Sequence, residues 1–207
     1  MTSIVVTGTD TDVGKTIFSA ALAGALGASY WKPIQAGTDG GGDGACVAGL
    51  AGARLRAVLP EAYRLATPCA PQRAAAIDGV AIDPAKLTLP EVTAPLVVEG
   101  AGGVLVPVTD DLLFADLFAR WGAAVVLVAR TALGTINHSL LSIEALRQRG
   151  VPVLGIAFVG DADPDSEATI ARIGAVRRLG RLPRLDPLTP DTLAAAFAAN
   201  FDARDFA

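Results

Sequence analysis

Apolar residues along this chain fall into two rhythms. Short runs occupy residues 4–6, 96–98, 123–129 and 151–159, and runs of that length, rich in valine, predict strands buried on both faces. Ser29-Tyr30-Trp31 reads as a further strand that stops at Lys32-Pro33, where proline discourages ladder bonding. Residues 179–182, just before Pro183, read as an edge strand. Elsewhere the spacing lengthens to that of a helix. Ile17, Ala20, Ala21, Leu22, Ala25 and Leu26 form one apolar face closed by Gly27. Helices are also predicted over 45–62, 112–119 and 165–174, from the 133–138 stretch to Arg149 with Thr135 or Asn137 as N-cap, and over 189–199. Strand and helix alternate, so right-handed crossovers between parallel strands are the economical topology. The pattern predicts an α/β fold: a single domain over 1–207 with a mostly parallel, doubly wound sheet flanked by helices. Pro68, Pro71, Pro84, Pro90 and Pro95 break the middle of the chain into short pieces. That stretch reads as an ordered insertion that shapes a site.

Composition narrows the partners. The net charge is −4 and no cationic cluster exists beyond Arg177-Arg178, which argues against nucleic acid or an anionic membrane and for small molecules. Cys46 and Cys69 show neither a C-x-x-C spacing nor histidines at metal-ligand spacing, and His138 stands alone, so reduced thiols are expected and a zinc site is not. The first strand begins almost at the N-terminus, with no signal-peptide pattern and no membrane-length apolar run. The expected location is cytoplasmic.

The chemistry is concentrated at strand ends. Gly8-Thr9-Asp10-Thr11-Asp12-Val13-Gly14-Lys15-Thr16 satisfies G-x-x-x-x-G-K-[ST] between a strand and a helix, the context of a phosphate-binding P-loop. Its glycines let backbone N–H groups turn toward phosphate oxygens, Lys15 reaches the outer phosphates and Thr16 offers Mg²⁺ a hydroxyl. A nucleoside triphosphate is the expected ligand. Glu99, followed by Gly100-Ala101-Gly102-Gly103, ends another strand in a Walker-B-like arrangement. A carboxylate there either holds Mg²⁺ opposite Thr16 or caps the next turn. Lys32, one of three lysines with Lys15 and Lys86, lies either on the same rim or in solvent. Asp39 and Asp43, in the glycine-rich segment 37–44, are metal candidates or turn residues. Asn137 and His138 read locally as helix-start residues.

Taken together, G-T-D-T-D-V-G-K-T at 8–16, K-P-I-Q-A-G at 32–37, E-G-A-G-G at 99–103 and L-G-T-I-N-H at 133–138 resemble the dethiobiotin synthetase family over most of the chain. The resemblance implies a homodimeric enzyme of biotin biosynthesis that closes a ureido ring on 7,8-diaminononanoate with CO₂ and ATP, using Mg²⁺. It implies that Lys15 and Lys32 are catalytic and that Thr16, Asp43 and Glu99 surround the metal. Asp12, Val13, Gly14, Lys15, Thr16, Ile17, Asp43, Glu99, Gly100, Ala101, Gly102 and Pro183 would meet the nucleotide. Thr11 and Lys32 would meet the diamine end, and Gly134, Thr135, Ile136 and Asn137 of the other subunit its distant carboxylate, an anion at a helix start. Three positions depart from the family pattern. Ala36 stands where many relatives carry a hydroxyl, Ala132 replaces a basic residue of some relatives, and Val159-Gly160 replaces the usual adenine-reading asparagine, which predicts relaxed base selectivity. The alternative is a regulatory switch ATPase of the partition or site-selection type, against which Asp10 stands where such proteins usually carry an extra lysine.

Overall fold

A computed structural model describes residues 3–38 and 41–206. β1 (Ser3–Gly8) runs through the P-loop into α1 (Lys15–Leu26); β2 (Ser29–Trp31), β3 (Ile34–Ala36), α2 (Asp43–Ala51) and the two-residue β4 (Ala57–Val58) follow. β5 (Tyr63–Leu65) and α3 (Pro71–Asp78) occupy the proline-punctuated stretch, and β6 (Leu96–Gly103) restores the central layer. A ribbon of β7 (Pro107–Thr109) and β8 (Leu112–Leu113) leads to α4 (Phe114–Trp121). β9 (Ala124–Arg130), α5 (Thr135–Gln148), β10 (Val153–Val159), α6 (Pro164–Ile173), β11 (Arg178–Leu182) and α7 (Pro190–Asn200) complete the alternation.

Seven strands pair in the order β11-β10-β9-β1-β6-β2-β4, with every neighbour parallel. All their carboxyl ends therefore share one rim. Successive residues of each strand face opposite sides of the sheet, and the core divides accordingly. Val5, Trp31, Val98, Val125 and Leu127 pack with Phe114 and Phe118 of α4 and Leu146 of α5. On the other face Ile4, Val6, Tyr30, Val97 and Val126 pack with Phe18 of α1, Val47 of α2 and Phe197 of α7. The predicted doubly wound α/β architecture is what forms. Among the described residues no helix is long and apolar enough to cross a membrane.

Several element boundaries differ from the sequence reading. The strand read over 96–98 runs on to Gly103, so Glu99 lies within β6 and not at its end. The helix expected over 45–62 ends at Ala51, because Gly52 turns out at φ 56° and Ala57–Val58 pairs with β2 instead. Leu112 and Leu113 are drawn into an antiparallel pair with β7, so the helix starts at Phe114. Neither Thr135 nor Asn137 caps α5: the N-cap is Gly134, at φ 94°, and both candidates lie within the helix. Thr189 caps α7, accepting from the Thr192 amide.

Candidate active site

The P-loop owes its shape to two residues on the left-handed side of φ. Gly14 has φ 94°, and a Cβ there would lie 2.7 Å from Val159 Cγ1, so only glycine lets the loop turn against the end of β10. Asp12 holds φ 57°, which aspartate tolerates better than most residues. The turn brings Lys15 Nζ to 2.8 Å from the Asp10 carbonyl oxygen, which accepts its hydrogen bond. Burial lowers the Lys15 ammonium below the ordinary lysine range, and Lys32 adds to this, against the opposing pull of Glu99 and Asp43. A partly desolvated cation at the start of α1, hydrogen-bonded to a neutral carbonyl, is suited to phosphate oxygens.

Across the cavity, β6 delivers Glu99 and the end of β2 delivers Lys32. Thr16 Oγ1 donates to Glu99 Oε1 at 2.8 Å, and Lys32 Nζ lies 3.4 Å from the same oxygen. Lys32 also donates to Asp43 Oδ2 at the first residue of α2. Burial opposes the Lys32 charge, but the carboxylates of Glu99 and Asp43 outweigh it and raise its pKa above the ordinary 10.5. The Tyr30 hydroxyl donates to Glu99 Oε2 at 3.0 Å and, through burial and then the Glu99 and Asp43 charges, is pushed well above its ordinary value. It is a neutral donor at any physiological pH.

Two carboxylates and a hydroxyl thus gather around one ammonium. Among the described residues no three His, Cys, Asp or Glu side chains cluster as a self-sufficient metal cage. The set of hard oxygens, Thr16, Asp43 and Glu99, nevertheless fits Mg²⁺, which commonly takes one or two carboxylates and completes its shell with water and phosphate.

These groups open on one cavity of about 610 Å³. Of the residues anticipated from sequence, Thr11, Asp12, Gly14, Lys15, Thr16, Ile17, Lys32, Asp43, Glu99, Ala101 and Gly102 line it. Others do not. Val13 is 2% exposed, with its side chain in the core. Gly100 is buried, and a Cβ there would meet Phe118. Pro183 directly follows β11 and is not part of the cavity wall. Gly134, Thr135, Ile136 and Asn137 form the start of α5 and line no part of it. A second cavity, of about 390 Å³, shares Thr11 and Val106 with the first and is bounded by His138 and Leu141 of α5. Asp39 lies outside the described residues.

The proline-rich stretch, read from sequence as an insertion that shapes a site, does so: Pro68, Cys69, Ala70 and Pro71 form one wall of the cavity, though none of these residues was singled out individually. Sequence reasoning missed the internal role of Gln35, whose amide donates to the Gly37 carbonyl at 2.9 Å while its Oε1 accepts from the Asp43 amide at 3.0 Å. Gln35 therefore sets the start of α2, and with it Asp43. Both thiols are free and exposed.

Comparison with known proteins bears on this geometry. A family model described as an AAA domain matches residues 2–192. The chain is 65% identical, over the full length of both, to the ATP-dependent dethiobiotin synthetase BioD of Novosphingobium aromaticivorans. The protein of the same name from Rhizorhabdus wittichii is 64% identical over 99% of this chain and 98% of its own, and that from Agrobacterium fabrum 59% over 98% and 95%. The chain belongs to the dethiobiotin synthetase family. As a dethiobiotin synthetase family member it is an enzyme of the ligase class, with the motifs at 8–16 and 99–103 placed on one rim of the sheet. Solved structures that it resembles include the cell division ATPase MinD of Pyrococcus furiosus, with a TM-score of 0.58 at 16% identity over 90% of this chain and 85% of that one. A ParA family ATPase from Chlorobium tepidum gives 0.56 at 10% identity, over 98% and 91%. At such identities these two share the synthetase family's fold alone.

Proposed function

We propose that the chain, as a single nucleotide-binding unit over 1–207, carboxylates 7,8-diaminononanoate with CO₂ and closes the ureido ring at the expense of ATP. The observation that carries this reading is that Lys15 and Lys32, reaching from different strand ends, open on one cavity with Thr16, Asp43 and Glu99. In the proposed sequence one amine of the substrate takes up CO₂ as a carbamate, and a carbamate oxygen attacks the γ-phosphorus, releasing ADP. The second amine then attacks the carbonyl carbon of the mixed anhydride and expels phosphate. Both the nucleophile and the phosphoryl group are anionic, so the work of the site is to bring like charges together. Lys15 steadies the transferring group. Lys32, held as an ammonium by two carboxylates, faces the carbamate and offsets the repulsion.

Thr16, Asp43 and Glu99 would hold Mg²⁺, which when bound supplies positive charge to the phosphate oxygens. Thr11, at the junction of the two cavities, would meet the diamine end. The start of α5, from a second copy of the chain, would receive the distant carboxylate. Leu105, Leu133 and Leu141, at 50%, 103% and 56% exposure near that helix, support such an interface. The reading carries a cytoplasmic location with it, where ATP and Mg²⁺ are supplied. Incubation with 7,8-diaminononanoate, labelled bicarbonate and MgATP is expected to give acid-stable label in a cyclic urea; ATP hydrolysis without labelled urea would overturn the assignment.

A further inference from the structure

Glu99 is 1% exposed, and its two oxygens have separate partners. Oε1 accepts from Thr16 Oγ1 and lies beside Lys32 Nζ, whereas Oε2 accepts from the Tyr30 hydroxyl alone among the described residues. The register of the sheet explains how a phenol reaches it. Tyr30 pairs with Val97, two residues before Glu99 on the same side of β6, and Lys32 follows Tyr30 by two, just past the end of β2. The tyrosine therefore occupies the rung beneath the ammonium, with its ring fully buried in the α1 and α2 layer.

We infer that Tyr30 is a positioning residue that ties Glu99 Oε2 inside the protein and so reserves Oε1 for Thr16 and the divalent cation. Without that hydroxyl, Oε2 becomes a buried acceptor lacking a partner, and unmet acceptors of this kind reorganise toward the nearest donor. The nearest cation is Lys32. A carboxylate turned to chelate Lys32 through both oxygens is a poorer ligand, and loss of such supporting hydrogen bonds commonly weakens metal binding about 10- to 100-fold. The inference rests on the reading of Glu99 as a metal ligand.

The test compares Tyr30→Phe, Tyr30→Leu and Glu99→Gln by Mn²⁺ binding in the presence of ADP, followed by electron paramagnetic resonance. ADP binding without metal serves as the measure of an intact P-loop. Tyr30→Phe keeps the ring, so a role limited to packing predicts wild-type Mn²⁺ affinity in Phe and a loss only in Leu. The positioning role predicts a loss of about tenfold or more in both, with metal-free ADP binding unchanged. Wild-type Mn²⁺ affinity in Tyr30→Phe, alongside weakened binding in Glu99→Gln, overturns the positioning role while leaving Glu99 as a ligand. Wild-type affinity in Glu99→Gln overturns both readings at once.

Discussion

Lys32 sits where water is largely excluded and two carboxylates compete for one ammonium. Removing it would leave Asp43 and Glu99 facing each other without a counter-ion, a state better relieved by a divalent cation than by an empty cavity. Lys32→Ala is therefore expected to keep nucleotide binding while turnover falls by about 10²–10³, the usual cost of one preorganised donor to a charged transition state. Calorimetry with ADP and single-turnover kinetics separate the two; near-normal turnover would remove Lys32 from the mechanism. Because its folded pKa is raised, its stabilising contribution is fully present below the ordinary 10.5 and is lost only as pH climbs through the higher folded value. An alkaline decline in activity below pH 10.5 would thus have to come from another group. Lys15, Thr16 and Glu99 were readable in the sequence because each lies in a short contiguous motif. Tyr30 was not, since its partner is 69 residues away and nothing about a tyrosine in an apolar strand announces a hydroxyl pointed at a carboxylate.

At the scale of elements, the proline-rich stretch is held by the last residue of α3. Asp78 Oδ2 accepts from the amides of Ala66 and Thr67 at 2.6 and 3.2 Å, and Oδ1 from the Thr67 hydroxyl at 2.6 Å. This fastens the segment just before the Pro68–Pro71 wall of the cavity. The hydrogen bond from the Thr67 hydroxyl, with those from the two amides, holds the Asp78 carboxyl below its ordinary 3.8. Asp78→Ala is expected to raise KM for the amine substrate more than it lowers kcat, read by steady-state kinetics at neutral pH. The gap in melting temperature between wild type and variant should persist above pH 3.8 and close as the pH falls through the lower folded value. A gap that widened in acid would contradict this account. That the stretch shapes a site was legible in its prolines, but its anchor was not, since it joins residues 11 and 12 positions apart across α3. The overlong helix at 45–62 has a related cause: alanine and leucine favour helix locally, but the edge of the sheet claims Ala57–Val58. Long apolar strands such as β9, paired on both sides, were legible because burial leaves them little alternative.

For the molecule as a whole, the exposed Leu105 and Leu141 border the second cavity, which adjoins the one holding Lys15 and Lys32 through Thr11 and Val106. Leu141→Glu is expected to give a folded monomer with a raised KM for the diamine and little change in nucleotide affinity, measured by sedimentation and fluorescence titration. An unchanged sedimentation coefficient together with unchanged KM would remove the second copy from the site. The global architecture was legible because the alternation of apolar runs and helical stretches admits few topologies. How the loops meet above the sheet was not, since that depends on the register of strands distant in sequence. That register leaves β2 with a narrow tolerance. Its three residues send Trp31 against Trp121 and Tyr30 to the opposite layer. Loss of a single codon between Ser29 and Lys32 would shift the residues at the end of β2 to the opposite face, moving the ammonium toward Trp121. In this stretch, drift in chain length is therefore more damaging than drift in residue identity.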